Sequence, residues 1–254
     1  MKDSSEVFKN YADYYDLLYQ DKDYDAEVQY INNLINRNFK DAKKIIEFGS
    51  GTGIHSSKLS QYGFEIEGVE LSKEMVRISK TSRNFDLFQG DMISYKSKNI
   101  GTFDIALSLF HVVSYLTNNA DLESFFRNSY AHLKKDGLLI FDVWFSDAVE
   151  HTPPEIRIKR MKNSKLELLR ISEPTIHDSE KIVDVNFTIF SKYHDSQNWN
   201  LTKEKHPMRH FSVEEIEQFA KKFNFNLLVK EEFLTSEPLT KDVWGACFVF
   251  QKNN

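Results

Sequence analysis

The chain has 254 residues, enough for one large domain or for one domain with a substantial insertion. Hydrophobic residues make up 41% and charged residues 28%, while glycine and proline are scarce, which excludes a disordered, collagen-like or linker-dominated chain. The formal net charge of −5 disfavours general binding to nucleic acid or to an anionic membrane.

The sequence lacks the signals of secreted, membrane-spanning and zinc-binding proteins. The single cysteine, Cys247, cannot form an internal disulfide, and no Cys or His spacing resembles a zinc site. Residues 1–10 are polar and charged, unlike a signal peptide, and no apolar run approaches the roughly 20 residues of a membrane span. We therefore expect a cytoplasmic protein that holds no metal.

Residues 1–40 have the spacing of amphipathic helices. Aromatic and leucine side chains recur at helical intervals from Tyr11 to Tyr19, and a second apolar stripe runs from Val28 to Ile35. A polar link over 20–25 separates the two stripes. This segment is predicted to form a helical lid.

Strands and helices then alternate for about a hundred residues, which predicts a parallel sheet covered on both faces. We place the core of the molecule at 41–145. Strands are expected at 43–48, 65–70, 85–89, 103–109 and 138–143, and helices at 54–62, at 72–82 and around Leu122, Phe125, Phe126 and Leu133.

After the fifth strand the pattern changes to that of antiparallel strands. Apolar and polar residues alternate over 183–189, and no helical period is found from 155 to 210. We interpret 146–210 as an inserted antiparallel layer on the substrate side, within a single domain spanning 1–254. Residues 211–254 complete the core sheet with a capping box at Ser212 and Glu215, a helix with Ile216 to Phe223 on its buried face, and strands near 225–234 and 243–251 that pair as an edge hairpin.

The strongest functional signal is a strand that runs into a glycine-rich turn and then a helix. Gly49, Gly51 and Gly53 follow the apolar strand that ends at Phe48. Glycines let the backbone turn tightly and approach a ligand, and free N–H groups at the start of a helix bind polar ligands. The turn therefore predicts a ligand site.

The spacing of the glycines distinguishes between ligands. The dinucleotide fingerprint Gly-x-Gly-x-x-Gly requires a glycine at Ile54, and Gly53 stands one position early. Glu70 ends the second strand, where a carboxylate can accept both hydroxyls of a ribose. A nucleoside ligand is therefore predicted, with a glycine spacing unlike that of dinucleotide enzymes.

The pattern Glu-x-Gly-x-Gly-x-Gly, with Glu70 after it, resembles motif I and its successor in class I S-adenosylmethionine-dependent methyltransferases. The resemblance implies an α/β fold with a Rossmann-like seven-stranded methyltransferase sheet, an N-terminal helical lid and an inserted antiparallel β layer after the fifth strand. It also implies that residues 41–145 bind the cofactor. Further matching segments follow in order, namely Gly90-Asp91-Met92, Phe103-Asp104 and the turn from His132 to Leu139, in which Asp136 replaces a glycine of the family pattern.

The resemblance assigns roles to individual residues toward S-adenosylmethionine. The three glycines pass under the methionine part, Glu47 orients the turn or the amino group, and Glu70 holds the ribose. Leu71 and Met92 flank the adenine, Asp91 contacts its exocyclic amine, Leu109 lines the methionine side, and Ser50, Thr52 and Met75 complete the predicted cofactor set.

The methyl acceptor is predicted to be a small molecule. Residues 108–111 do not carry the (Asp/Asn/Ser)-Pro-Pro-(Tyr/Phe) motif of amino DNA methyltransferases. A tyrosine-rich segment from Tyr11 to Tyr24, the antiparallel insertion and the pair Trp144-Phe145 could enclose a polar metabolite. This layout is similar to N-methyltransferases of the glycine type and to those that dimethylate nucleotide-linked amino sugars. The chain departs from them at Tyr115, where such sugar enzymes can carry a histidine.

Candidate acceptor-side residues follow from this resemblance and from their chemistry. Tyr15, His111 and Tyr115 are the predicted catalytic residues, and Tyr19, Trp144 and Arg209 join them in binding substrate. Transfer to a hydroxyl, with His111 or Tyr115 as base, is the first alternative, and a non-catalytic cofactor-binding module is the second. The exposed strands of the insertion also offer a surface for a homodimer.

Overall fold

The computed structural model describes residues 12–79 and 85–253. The chain begins there with helices α1 (Ala12–Leu18) and α2 (Tyr24–Asn38), as the periodicity predicts. The Asp23 carboxylate caps α2 by accepting the N–H of Ala26 (2.9 Å). The predicted helical residue Tyr11 and the predicted helix end at 80–82 lie outside the described residues.

Five parallel strands form the core of the sheet, in the order β3-β2-β1-β4-β5, with helices between them. The α/β pattern predicted from the sequence is confirmed. The elements are β1 (Lys44–Phe48), α3 (Ile54–Ser60), β2 (Glu65–Glu70), α4 (Lys73–Ser79), β3 (Asp86–Gln89), β4 (Phe103–Ser108), α5 (Asn119–His132), β5 (Leu133–Phe145) and α6 (Ser146–His151).

One helix boundary differs from the prediction. Leu133 was expected on the face of α5 but begins β5, with extended backbone (φ −74°, ψ 139°). Its side chain is fully buried, so its apolar character fits either element. Within β5, Asp136 has φ 61°. This left-handed conformation explains why a glycine suits this position.

The predicted antiparallel insertion is present and continues the sheet. It consists of β6 (Arg157–Lys162), β7 (Leu166–His177), β8 (Ile182–Tyr193) and β9 (Asn200–Phe211), each pairing with its neighbour. β9 then pairs in parallel with the end of β5, at Trp144↔His210 and Phe145↔Phe211. The insertion therefore begins at the carboxyl end of the core strands, where ligands bind in open α/β sheets.

The chain ends with α7 (Val213–Lys222), β10 (Phe225–Glu232) and β11 (Gly245–Lys252). The two strands form the predicted antiparallel hairpin, but β11 also pairs with β5 and only β10 lies at the edge. The core sheet thus has seven strands in the order β3-β2-β1-β4-β5-β11-β10. Ser212 caps α7 as predicted, accepting the Glu215 N–H (3.3 Å).

Hydrophobic clusters cover both faces of the core sheet, and a third cluster lies between α1 and the insertion. One face packs on α5 and α7, and the other on α2 and α3. In the third cluster Tyr14, Leu17 and Leu18 of α1 pack against Leu166, Leu168 and Ile189 of the insertion. Among the helices of residues 12–79 and 85–253, none is both long and apolar enough to cross a membrane.

Candidate functional site

The backbone is left-handed at all three glycines of the turn. Gly49 and Gly51 differ in what surrounds them. An added Cβ at Gly49 (φ 75°) would lie 2.4 Å from Cγ1 of Val112, so packing against the loop after β4 excludes a side chain there. At Gly51 (φ 57°) an added Cβ would meet nothing within 4 Å. The backbone at Gly51 therefore borders open space, as a turn that receives a ligand requires.

Glu70 lies against this turn from the end of β2. Its carboxylate accepts the Gly51 N–H at Oε2 (2.9 Å) and the Ser72 N–H at Oε1 (2.7 Å). The side chain is buried, and burial raises the pKa of Glu70 above its ordinary value, although these N–H groups act in the opposite direction. A buried carboxylate beside the open face of Gly51 can accept hydroxyl groups of a ligand.

Glu47 and Ser50 hold the turn in shape. Oε2 of the buried Glu47 accepts a hydrogen bond from the Ser56 hydroxyl in α3. The Ser50 hydroxyl donates to the carbonyl of Glu47 (2.9 Å) and accepts the Val69 N–H (3.2 Å), which ties β1 to β2. Both side chains thus fix the position of the turn through hydrogen bonds that join β1, β2 and α3.

Thr52 joins the turn to the N-terminal helix. Its hydroxyl donates to Oδ1 of Asp16 (2.7 Å), which lies on α1. Because α1 also packs on the insertion, this bond connects the glycine turn to α1 and, through α1, to the insertion.

The residues predicted to surround the adenine lie at the ends of neighbouring strands. β2 and β3 are adjacent, so Leu71 follows one strand and Asp91 and Met92 follow the other at the same edge. Oδ1 of Asp91 accepts the Ile93 N–H (3.1 Å), and the Met92 carbonyl accepts the Asn128 amide (2.8 Å). Leu71, Asp91 and Met92 are partly exposed, whereas Met75 and Leu109 are buried.

The loop after β4 has a strained backbone that a buried aspartate stabilises. Phe110 (φ 66°) and His111 (φ 59°) are consecutive left-handed residues without being glycine. Asp142 of β5 accepts the His111 N–H at Oδ2 (3.1 Å). The same oxygen lies 2.8 Å from Nδ1 of His111, an ion-pair contact that is not directed as a hydrogen bond.

The charge of Asp142 is maintained despite complete burial. Burial acts to raise its pKa, but the adjacent His111 and then Lys22 outweigh burial and hold the pKa of Asp142 below its ordinary value. Asp142 therefore fixes the position of the His111 ring.

Lys22 brings a nearly buried ammonium to the same region. Its Nζ lies 2.7 Å from Oε2 of Glu27 and 3.5 Å from the centroid of the Phe110 ring. Burial lowers the pKa of Lys22, while Glu27 acts to raise it. Oε2 of Glu27 also contacts Nε2 of His55 (2.7 Å), so α2, α3 and the loop after β4 meet at this lysine.

Aromatic side chains from three segments meet around Tyr19 and His111. The Tyr19 ring lies 4.8 Å from that of Tyr15 and 5.1 Å from that of Phe110. Arg170 of β7 reaches the same ring, with Cζ 5.8 Å from its centroid and Nη1 3.4 Å from its hydroxyl. The Trp144 ring lies 6.4 Å from that of His111, so the predicted residues Tyr15, Tyr19, His111 and Trp144 share one region.

Tyr115 contacts the inner face of the insertion. Its hydroxyl lies 2.8 Å from Nδ1 of His206 on β9, and Nε2 of His206 lies 3.3 Å from Oε2 of Glu204. Register explains the grouping, since Phe187 of β8 pairs with Glu204 of β9 and its ring lies 4.8 Å from that of His206. Tyr115 is therefore part of the contact between the loop after β4 and the insertion.

Arg209 contacts α7, and its predicted role in substrate binding stays a prediction. Side chains alternate along a strand, so Arg209 faces away from Glu204 and His206. Its guanidinium pairs with Glu215 of α7, and its Cζ lies 4.9 Å from the centroid of the Phe211 ring. This pairing favours a role in joining β9 to α7.

Several residues of the site were not predicted from the sequence. Asp142 carried a usable signal, because a carboxylate inside the apolar run 138–143 must be buried and paired. The others depend on strand register or on packing between distant segments. They are Lys22, Arg170, Glu204 and His206. In the part of the chain that the structure describes, no three His, Cys, Asp or Glu side chains are grouped to hold a metal ion.

Known proteins resemble this chain in sequence and in fold. A family model described as "Methyltransferase domain" matches residues 21–230. YqeM of Bacillus subtilis strain 168, which is named as a methyltransferase, is 25% identical over 237 residues, or 91% of this chain and 92% of its own length. The dTDP-3-amino-3,6-dideoxy-alpha-D-glucopyranose N,N-dimethyltransferase of Streptomyces fradiae is 26% identical over 183 residues, 70% of each chain. The crystal structure of an S-adenosylmethionine-dependent methyltransferase from Clostridium acetobutylicum covers 97% of this chain and 99% of its own, with a TM-score of 0.81 at 19% identity.

Proposed function

We propose, because this chain belongs to the methyltransferase domain family, that it methylates a nitrogen of a small polar metabolite of the nucleotide-linked amino-sugar class. The chain is a class I S-adenosylmethionine-dependent methyltransferase. The relative from Streptomyces fradiae is named as an N,N-dimethyltransferase of such a sugar nucleotide, which supports this acceptor class.

The described residues fit the cofactor at the glycine turn. The open face of Gly51 leaves room for it, and the adjacent Glu70 carboxylate supplies acceptors for ribose hydroxyls. We assign the adenine side to Leu71, Asp91 and Met92 and the methionine side to Gly49, Gly51 and Leu109. S-adenosylmethionine, when bound, supplies an electrophilic methyl group on a sulfonium.

One observation carries the proposal for a small acceptor. The N-terminal helix, the loop after β4 and the insertion meet at the Tyr19 ring, between Phe110 and Arg170. These three segments thus surround the proposed acceptor side. Such an arrangement suits a metabolite better than a macromolecule. Aromatic faces attract an ammonium group, and a guanidinium binds phosphate. Both groups occur in a nucleotide-linked amino sugar.

The chain's own residues supply positioning and the exclusion of water. An activated methyl group needs an acceptor that is aligned and unprotonated, so fixed aromatic walls contribute most of the effect. We assign these walls to Tyr15, Tyr19 and Trp144, with His111 held in place by Asp142.

The test is methyl transfer from methyl-labelled S-adenosylmethionine to a metabolite extract, followed by mass spectrometry. Label on the amino group of a sugar nucleotide or another small amine is the expected result. A parallel reaction with dTDP-3-amino-3,6-dideoxyglucose examines the named class directly. Label on protein, DNA or RNA alone would overturn the proposal.

Transfer to a hydroxyl is the second candidate, and the His111–Asp142 pair favours it. A buried carboxylate 2.8 Å from a histidine nitrogen can stabilise the ring as it takes up a proton, and an oxygen acceptor needs such a general base. Label on oxygen, together with a rate that falls about 100-fold in His111→Ala and not in the exposed control His194→Ala, would select this candidate.

A further inference from the structure

Three polar side chains form a continuous chain between the loop after β4 and strand β9. The carboxylate of Glu204 can only accept, so Nε2 of His206 carries the hydrogen in their 3.3 Å contact. Nδ1 of His206 then carries a lone pair and accepts the hydrogen bond of the Tyr115 hydroxyl at 2.8 Å. The carboxylate thereby sets the histidine tautomer that can take a proton from the tyrosine.

The charged and titratable groups around this chain come from four elements. Glu204 and His206 lie on β9, Glu70 ends β2, and Tyr19 belongs to the N-terminal segment. Arg170 of β7 approaches from the insertion, with its Cζ 5.0 Å from the centroid of the Phe187 ring that contacts His206. The Tyr115 hydroxyl is therefore within electrostatic range of Glu70 at the end of β2 and of Tyr19.

The hydroxyl of Tyr115 does not ionise at neutral pH. Burial raises its pKa well above the ordinary value, and the nearby Tyr19, Glu204 and Glu70 add to the shift. A tyrosine in this position can accept a proton only if it gives up its own at the same time. His206 is the group in contact that can receive it.

We propose that Tyr115, His206 and Glu204 form a proton relay that deprotonates the methyl acceptor, an inference that rests on the proposed methylation of an amine. In this relay Tyr115 is the catalytic residue, because its oxygen would receive the proton directly from the acceptor. His206 and Glu204 are positioning residues that act through it.

The proton and electron balance of the step is complete. The acceptor ammonium gives one proton to the Tyr115 oxygen while the Tyr115 hydroxyl proton passes to Nδ1 of His206. The imidazolium stays paired with Glu204 and then releases its proton to water. The freed electron pair on nitrogen forms the N–C bond as the S–C bond of the donor breaks, and the electrons of that bond remain on sulfur.

The kinetic test uses the full-length protein with dTDP-3-amino-3,6-dideoxyglucose across a range of pH. Tyr115→Phe should lower kcat/KM at pH 7 about 100-fold without changing the affinity for S-adenosylmethionine. The deficit should shrink as pH rises toward the pKa of the acceptor amine, because the acceptor then arrives deprotonated. Glu204→Gln should shift the acidic limb of the profile to lower pH, because His206 loses its stabilising carboxylate.

Tyr14→Phe is the matched control. Its hydroxyl also reaches the insertion, at Oγ of Ser191 (2.8 Å), but that partner does not titrate. The variant should keep the shape of the parent pH profile. Loss of rate in Tyr115→Phe that is equal at every pH, or no loss, would overturn the relay.

A measurement without turnover separates failure of the relay from failure of the proposed acceptor. The ring nitrogen chemical shifts of His206, from NMR of the protein labelled with nitrogen-15, should show a hydrogen on Nε2 and none on Nδ1 at pH 7.5. This tautomer would support the relay even if the sugar nucleotide is not methylated. Hydrogen on Nδ1, or on both nitrogens, would overturn the relay whatever the acceptor.

Discussion

Glu70 and Asp104, two buried carboxylates at opposite edges of the parallel sheet, have pKa values shifted in opposite directions. At the carboxyl edge, burial raises the pKa of Glu70 beside the open face of Gly51. At the amino edge, Asp104 accepts the N–H groups of Lys43 (2.7 Å) and Lys44 (2.8 Å) and pairs with Lys134. Burial acts to raise the pKa of Asp104, yet Lys134 and the two N–H groups hold it below the ordinary value.

This difference separates groups that stabilise the fold from groups that are kept for a ligand. A carboxylate whose charge is well compensated contributes to stability, whereas one whose charge is poorly compensated costs free energy until a ligand completes its hydrogen bonds. The carboxyl edge also holds the left-handed residues Phe110 and His111, each of which costs free energy. We expect substitution of Glu70 mainly to weaken ligand binding and substitution of Asp104 mainly to lower the free energy of unfolding.

The largest effect should come from a pair of glycine substitutions within the carboxyl edge. Gly49→Ala should lower the free energy of unfolding by about 3 kcal/mol, because left-handed strain adds to overlap with the branched Val112 side chain. Gly51→Ala should cost only about 1 kcal/mol of stability, because its Cβ meets no atom, but should weaken cofactor binding. Urea denaturation and calorimetric titration measure the two quantities. Equal losses of stability would contradict the assignment of Gly51 to the ligand.

Glu70→Ala should weaken S-adenosylmethionine binding at least about 100-fold, or about 2.7 kcal/mol, because the ribose hydroxyls lose their acceptor. Stability should change little, because removal of the desolvated carboxylate offsets the loss of its bonds to the Gly51 and Ser72 N–H groups. Glu65→Ala, at the exposed start of the same strand, is the control. A dissociation constant within threefold of the parent value would remove Glu70 from the cofactor site.

Asp104→Asn should have the converse result, with about 2 kcal/mol less stability and unchanged cofactor affinity. The amide keeps one acceptor oxygen and loses the ionic contact to Lys134, which leaves the strand-end N–H groups poorly paired. Urea unfolding and titration calorimetry on the same preparation test both statements. Weakened cofactor binding at unchanged stability would contradict the contrast between the edges.

The pH dependence of these two effects should have opposite signs. The pKa of Asp104 is lowered in the folded state, so its contribution is present above the unfolded value of about 3.9 and is lost as pH falls. The folded pKa of Glu70 is raised, so relative stability is lost as pH rises from the unfolded value of about 4.3 through the folded one. Unfolding free energies of Asp104→Asn and Glu70→Gln relative to the parent, from about pH 2 to 7, report these slopes. Parallel slopes for the two variants would refute the assignment.

The smallest effect should come from the bond between the glycine turn and α1. Thr52→Val keeps the shape of the side chain but removes the donor to Asp16, which should weaken cofactor binding by about 0.5–1 kcal/mol. The rate of cofactor release, measured by stopped flow, should rise a few-fold. Thr102→Val, which removes an exposed hydroxyl bonded to the Asn99 carbonyl, should leave that rate unchanged.

The contact between the glycine turn and Glu70 was predictable from the sequence because its signals are local. The glycine turn and Glu70 lie within 22 residues of each other and belong to one strand–helix–strand unit, so spacing alone indicates that they meet. Hydrophobic periodicity likewise identified the parallel core and the antiparallel insertion. It failed at Leu133, because a buried leucine satisfies the pattern of either a helix or a strand.

The acceptor side was decided by tertiary structure. Tyr115 and His206 are 91 residues apart. Glu204 and His206 share a face because side chains alternate along a strand, and the pairing of β9 with β8 decides that this face is the inner one. A shift of one residue in that register would turn both side chains outward, and the same rule sends Arg209 to Glu215. The sequence by itself determined the fold class and the cofactor turn, because those depend on local backbone geometry. Strand register and the packing of α1 on the insertion determined which side chains meet at the proposed acceptor side, because such contacts join segments that share no local pattern.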